Sequence, residues 1–191
     1  LLKELRNKDL RVRVEVVKAL SELKHTKGLI TALRNENPEV RAEAISALEG
    51  INETEASDAL IDVLYTEEDE RVWLKAFEAV TKPLQTVVTK SPSAIENAKS
   101  IYESIGVELL KSGRGKFALK CFEKVAEISP VKETFGSIGV ALIDYGLHEE
   151  ALKYFEKVIQ VDPNDARGWG GKGLALFNLR RVEEATSCCK R

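Results

Sequence analysis

A helical hairpin is repeated along the C-terminal half of the chain, and this repeat constrains the fold more than any other feature. One copy spans Thr134–Pro163, where apolar residues follow each other at helical spacing on two successive helices. The alanines of the second helices lie at Ala118, Ala151 and Ala185, at intervals of 33 and 34 residues. Because a single hairpin buries only one of its faces, repeated hairpins are expected to stack and to complete one another's core.

Small residues lie where the two helices of a hairpin are expected to cross. Gly139 and Ala151 allow the two backbones to approach, and Phe155 fills the space beside them. Gly113 and Gly146 follow the first helices of two successive copies, and glycine there suits the left-handed residue that ends a helix. The sequence therefore predicts hairpins that pack closely at glycine and alanine.

The order aromatic, glycine, alanine, phenylalanine and proline, repeated at roughly 34 residues, resembles the tetratricopeptide repeat. The resemblance extends over residues 91–191, which would hold about two and a half units. It implies an all-α, right-handed superhelix (a solenoid) of antiparallel helix hairpins. It also implies a non-catalytic scaffold that binds other proteins and needs no cofactor.

A second kind of repeat occupies residues 1–90. The pattern Asp or Asn, two residues, Val and Arg begins at Asp9 and at Asn37, and a third copy begins at Asp69 with Trp73 in place of the arginine. Asp and Asn at these places are expected to cap the helices that follow. The pattern, with the alanine-rich helix after it, resembles the short HEAT-like repeats of phycobilisome lyases. This resemblance implies a second protein-binding scaffold or, as an alternative, a bilin lyase-like protein or chromophore chaperone.

Residues 83–93 connect the two kinds of repeat. They are expected to form a short helix that is broken at the Ser-Pro pair ending in Pro92. Ser93 and Glu96 match a capping box, which predicts a long helix over about 94–111. Since this stretch contains apolar residues and no flexible Gly/Ser tract, one continuous superhelix is expected.

The composition is that of a globular protein, with 43% hydrophobic and 31% charged residues and a net charge of −2. No apolar run is long enough to span a membrane, and no half of the chain is basic enough to favour nucleic acid. Acidic residues are concentrated in residues 42–80, most densely at Glu67–Glu70. That run is predicted to be a solvated turn, with a docking site for a basic partner as the alternative.

Candidate catalytic and metal-binding residues are few. His25 and His148 are predicted to lie in separate turns. The glycine-rich stretch Gly168–Gly173 lacks the spacing and the preceding strand of a phosphate-binding loop. Cys121 and Cys189 are expected to be buried on second helices, and the odd number of cysteines has no metal-ligand spacing. We therefore expect no catalytic residue and no metal, and a reducing cytoplasmic location.

The tetratricopeptide resemblance implies a partner-binding groove on the concave face, lined by the first helices of successive units. Val107, Val140 and Leu174 are expected to form an apolar stripe, while Gly136 and Gly170 let a partner's backbone come close. An amphipathic helix or an extended peptide would fit such a groove. The predicted groove residues, taken from the first helices of all three units, are Glu103, Val107, Leu110, Lys111, Gly136, Val140, Ile143, Asp144, Arg167, Gly170, Leu174, Phe177 and Asn178.

The sequence also bears on other occupants of this groove. Further repeats beyond the C-terminal end could cover it. Acidic chaperone tails ending in EEVD are not expected to bind, because only Arg167 offers a suitable charge and Glu103 would repel them. The chain has no methionine, so it is expected to be a fragment of a longer array, whose uncovered apolar ends would promote self-association.

Overall fold

The computed structural model describes residues 1–51, 53–88 and 91–188. Within these ranges the protein contains eleven α-helices, one short 3-10 helix and no strand. The predicted all-α fold class of antiparallel helix hairpins is confirmed. The chain divides into two compact units, Leu1–Thr86 and Val87–Arg191.

The first unit begins with a 3-10 helix at Leu2–Arg6 and continues with five α-helices. These are α1 (Leu10–Glu22), α2 (Thr26–Ala32), α3 (Pro38–Glu49), α4 (Thr54–Thr66) and α5 (Glu70–Val88). Each α-helix contributes large or branched apolar side chains that are almost completely buried, among them Val17, Leu29, Ile45, Leu64 and Trp73.

The predicted N-caps of this unit are confirmed. The side chains of Asp9, Asn37 and Asp69 each accept a hydrogen bond from the backbone N–H two residues further on, at 2.9, 2.8 and 2.9 Å. Pro38 occupies the first position of α3, where its missing N–H costs nothing. The repeated pattern in the sequence thus marks the starts of α1, α3 and α5.

The acidic run Glu67–Glu70 is not simply a solvated turn, and the prediction is wrong for Glu67. This residue is only 7% exposed, and its carboxylate forms an ion pair with Arg41. Asp69 caps α5. Glu67 and Asp69 therefore both have structural roles.

The third copy of the repeat replaces an ionic contact by an aromatic one. Arg13 and Arg41 hold carboxylates in the first two copies. Trp73 stands in the third copy, where it is completely buried and its Nε1 donates to the carbonyl oxygen of Leu64 at 3.0 Å. Its ring stacks on Phe77 with 4.9 Å between the ring centroids.

The expected short helix in the junction is wrong, because α5 continues through Pro83 and ends at Val88. A proline inside a helix removes one backbone hydrogen bond, but the buried face of α5 extends to the turn before it. Thr81 is completely buried there, and its hydroxyl donates to the carbonyl oxygen of Phe77 at 2.6 Å. Packing of this face explains why the helix does not stop.

The next helix begins earlier than the sequence predicted. Ser91, not Ser93, is its N-cap, and the Ser91 Oγ accepts the backbone N–H of Ala94 at 3.2 Å. Pro92 takes the first helical position, which proline favours. The Ser-Pro pair that was expected to break one helix therefore starts another.

The second unit is built from three consecutive helix pairs. They are α6 (Pro92–Lys111) with α7 (Gly115–Ile128), α8 (Lys132–Asp144) with α9 (His148–Val161), and α10 (Ala166–Asn178) with α11 (Val182–Cys188). Within the described residues, α8 contacts α7, α9 and α10, so each hairpin is packed against the next.

The close helix crossings predicted at glycine and alanine are confirmed. A Cβ atom added to Gly139 would lie 2.8 Å from the ring of Phe155, and one added to Gly106 would lie 2.9 Å from Phe122. Ala151 is completely buried. The phenylalanine rings therefore occupy the space that the missing glycine side chains leave.

The turn inside each hairpin contains a residue in the left-handed conformation. Gly113 and Gly146 have φ angles of 74° and 78°, as predicted for residues that end a helix. In the third hairpin the equivalent residue is Arg180, with a φ angle of 65°. An arginine in this region is strained, because its Cβ crowds the following carbonyl group.

The described cysteines are buried. Burial raises the pKa of the Cys121 thiol to about 12, and Cys188 is buried in α11. The prediction for Cys189 falls outside the described residues. Over the described ranges, none of the helices combines the length and apolar character that crossing a membrane requires.

Candidate partner-binding groove

A groove of about 870 Å³ lies across α6, α8 and α10 in the second unit. Residues from α9 form part of its floor. Its lining residues are Val107, Lys132, Glu133, Gly136, Ser137, Val140, Ala141, Ile143, Asp144, Tyr145, Phe155, Val158, Asp165, Arg167, Gly168, Gly170, Gly171 and Leu174.

The structure places most of the residues chosen from the sequence along this groove. Those in its lining are Val107, Gly136, Val140, Ile143, Asp144, Arg167, Gly170 and Leu174. Those outside the lining are Glu103, Lys111, Phe177 and Asn178. Leu110 was wrongly placed on this face, because it is only 4% exposed and packs inside the unit.

The groove has an apolar wall that water can reach. Val140 is 54% exposed and Leu174 is 50% exposed, although both side chains are aliphatic. Val107 is half-buried beside them. Tyr145, which was not among the predicted groove residues, adds an exposed ring directly after α8. Its position immediately after the predicted Asp144 was the available signal.

Two glycines open the groove toward the helix backbones. A Cβ atom added to Gly136 or to Gly170 would meet no other atom within 4 Å. The neighbouring Gly171 differs, since a Cβ there would lie 2.1 Å from Phe155. Gly171 is therefore needed for packing, whereas Gly136 and Gly170 leave free space above their helices.

The cationic side of the groove is held by a cluster of ion pairs. The Lys132 ammonium contacts the Oδ2 atoms of Asp162 at 2.5 Å and of Asp165 at 3.0 Å. These hydrogen bonds raise the pKa of Lys132. Asp165 also caps α10, accepting the N–H groups of Arg167 and Gly168 at 2.9 and 3.0 Å. The N–H of Gly168, followed by Lys132, lowers the pKa of Asp165.

The histidines and the glycine-rich stretch lie at the starts of helices or inside a helix. The Nδ1 atom of His25 accepts the backbone N–H of Gly28 at 2.9 Å at the start of α2. His148 begins α9 in the other unit. The stretch Gly168–Gly173 lies inside α10 and not in a loop. Over the part of the chain that the structure describes, no three His, Cys, Asp or Glu side chains are grouped to hold a metal ion.

Family models match both parts of the chain. The model of HEAT repeats matches residues 1–81, and the model of the tetratricopeptide repeat matches residues 133–165. The chain contains HEAT repeats followed by a tetratricopeptide repeat. Both resemblances drawn from the sequence are confirmed, and the matched tetratricopeptide unit is the hairpin of α8 and α9, the middle one of the second unit. Proteins built from HEAT and tetratricopeptide repeats are typically non-catalytic scaffolds.

Solved structures with a similar course of the chain include MamA. One crystal structure of the MamA protein is 17% identical, covers 93% of this chain and 88% of its own, and has a TM-score of 0.42. A structure of MamA AMB-1 is 17% identical, with coverages of 87% and 94% and a TM-score of 0.40. At these TM-scores the similarity says nothing about function. No curated protein matches the chain.

Proposed function

We propose that this protein is a non-catalytic protein–protein interaction scaffold that holds a segment of a partner on the concave face of its tetratricopeptide half. In this proposal residues 1–90 form the HEAT-like module and residues 91–191 the tetratricopeptide module. The binding residues are those predicted from the sequence, excluding the buried Leu110. The observation that carries the proposal is the open, apolar groove across α6, α8 and α10.

The exposed side chains of the groove support binding. Val140 and Leu174 each leave about half of an aliphatic side chain in water, and such exposure is unfavourable unless a partner covers it. Contiguous exposed apolar surface rimmed by polar residues is typical of interaction sites. Here the rim contains Lys132, Glu133 and Arg167.

The two open glycines support a partner that comes close to the helices. At Gly136 and Gly170 a ligand can reach the backbone of α8 and α10 without displacing a side chain. The glycine precedes an apolar residue by one helical turn in both helices, Val140 after Gly136 and Leu174 after Gly170. A peptide that crosses α8 and α10 therefore meets, on each helix, an open space above a glycine and an apolar side chain one turn later.

The test is to fill the groove without disturbing the fold. Short peptides are first selected from a random display library on the wild-type chain. Their affinity is then measured for the double variant Gly136→Leu/Gly170→Leu. We expect binding to be lost while the melting temperature stays the same or rises, because leucine is a better helix former than glycine.

The matched control is Gly50→Leu in the first unit. An added Cβ at Gly50 has no neighbour closer than 4.0 Å, so this variant tests an accessible glycine outside the groove. It should bind the selected peptides like the wild type. Equal binding by the groove-filled variant and the wild type would show that the groove is not the site.

A further inference from the structure

The positive charges along the groove are already neutralised within the protein. Lys132 is shared between Asp162 and Asp165. The Arg167 guanidinium lies 3.7 Å from the same Asp165 carboxylate. A negatively charged ligand would have to compete with these buried or partly buried carboxylates for both cations.

Two of the three carboxylates that line the groove have no such partners. Glu133 and Asp144 both line the groove, and over the described residues neither carboxylate forms an ion pair. Both residues are exposed. They lie at opposite ends of α8, eleven residues apart in sequence, which corresponds to roughly 16 Å along a helix. A bound segment crossing the groove can therefore meet an uncompensated carboxylate at either end.

Two further features favour a cation near Asp144. Asp144 is the last residue of α8, where the helix dipole places partial negative charge, and Tyr145 follows with an exposed ring.

We propose that the groove selects a cationic apolar segment, that is, a peptide whose aliphatic or aromatic side chains cover Val140 and Leu174 and whose Lys or Arg side chains meet Glu133 and Asp144. This inference rests on the proposed function and specifies the chemistry of its partner. The apolar side chains supply the contact area, and the unpaired carboxylates favour a positively charged ligand over a negatively charged one.

The experiment measures the charge of the peptides that the groove selects. Random display peptides are selected on the wild-type chain and counter-selected on Gly136→Leu/Gly170→Leu, so that only groove-dependent binders remain. We expect these binders to carry a clear excess of Lys and Arg over Asp and Glu. Their affinity should fall as salt is raised from about 0.1 M to about 1 M, because exposed ion pairs are screened. A peptide ending in EEVD, used as the acidic probe, should not bind.

A charge reversal with a matched control locates the effect. Glu133→Lys/Asp144→Lys should weaken the selected peptides roughly fivefold or more. Asp58→Lys/Asp62→Lys changes the net charge by the same amount on exposed positions of α4 in the first unit and should leave the affinity within about twofold. Equal losses in both variants would mean that overall charge, not this groove, attracts the peptides, and would overturn the inference.

The outcomes separate the two proposals. Groove-dependent peptides that are neutral or acidic would overturn the cationic partner and leave the scaffold function in place. If counter-selection leaves no peptide, because every binder selected on the wild type also binds the groove-filled variant, the proposed function is overturned, and the inference with it.

Discussion

Arg41 and Glu67 form a two-pronged ion pair between α3 and the loop before α5. The Nε and Nη2 atoms of Arg41 donate to Oε2 and Oε1 of Glu67 at 2.7 and 2.8 Å. The Arg41 Nη1 also donates to the carbonyl oxygens of Asn35 and Glu36 at 2.9 and 3.1 Å. One side chain therefore connects the loops that precede two successive repeat helices.

Arg13, the equivalent residue one repeat earlier, connects α1 to the loop before α3 in the same way. Arg13 is nearly buried, and its Nη1 atom donates to Glu36 Oε1 at 2.7 Å. The recurring arginine of the HEAT-repeat pattern is thus a link from one repeat to the loop that starts the next. At the third position this link is replaced by the buried Trp73.

Removing the charge of Glu67 should destabilise the protein. Glu67→Gln leaves the Arg41 guanidinium without its carboxylate in a site that water barely reaches. We expect the free energy of unfolding of the first unit to fall by about 2 kcal/mol, measured by urea denaturation. Glu68→Gln, at the exposed neighbour, should change it by less than about 0.5 kcal/mol. Equal effects of the two substitutions would contradict a specific role of the ion pair.

The contribution of Glu67 should disappear in acid. Burial raises its pKa, but the hydrogen bonds from Arg41 and from the N–H groups of Asp69 and Glu68 outweigh burial, so the pKa is lowered overall. A lowered pKa stabilises the folded state above the ordinary glutamate pKa of about 4.3. This stability is lost as the pH falls through the lower, folded-state pKa. The difference in unfolding free energy between wild type and Glu67→Gln should therefore be constant from about pH 7 to 5 and shrink below about pH 4. A difference that grows in acid would contradict this assignment.

Two glycines on α8 should respond oppositely to the same substitution. Gly139→Ala would place a Cβ 2.8 Å from the Phe155 ring, so we expect a loss of about 1–3 kcal/mol from overpacking. Gly136→Ala meets open space and should gain up to about 1 kcal/mol, because alanine favours the helix. Thermal denaturation of the pair measures both. Changes in melting temperature of similar size and the same direction in both variants would show that helix propensity alone determines the effect.

Arg180 should be replaceable by glycine with a gain in stability. It occupies the left-handed position that Gly113 and Gly146 occupy in the preceding hairpins. Arg180→Gly removes the steric cost of that conformation, about 1 kcal/mol, against a smaller loss of chain entropy. We expect a higher melting temperature. Arg181→Gly, at the next position and not in that conformation, serves as the control and should not raise it.

The sequence predicted the fold well where the signal was local and periodic. The caps at Asp9 and Asn37 precede their helices directly, and the glycine of each crossing recurs at the repeat length. Ser91 and Ser93 both fit the local pattern of an N-cap residue. Ser91 is the N-cap, because Pro92 takes the first helical position, which proline favours. Such choices depend on positions one or two residues apart.

Other features depended on partners far along the chain. The burial of Glu67 requires Arg41, 26 residues earlier, and no local pattern indicates that contact. Leu109 and Leu110 are adjacent apolar residues of α6, and both side chains are buried. The helical pattern alone does not show that the buried face of α6 includes Leu110 as well as Leu109. The groove residues themselves came from the family resemblance, and their role in binding stays a prediction.

The empty space above Gly136 and Gly170 separates the proposed recognition surface from the residues that keep the protein folded. Most binding surfaces are made of side chains that also pack against the interior, so changing them risks unfolding. Here the depth of the groove is set by two positions at which an added Cβ atom would meet no other atom within 4 Å. Under the proposed function, substitution at either position is expected to narrow, fill or reshape the groove while the helices remain intact, so that new partners would be accessible in single steps.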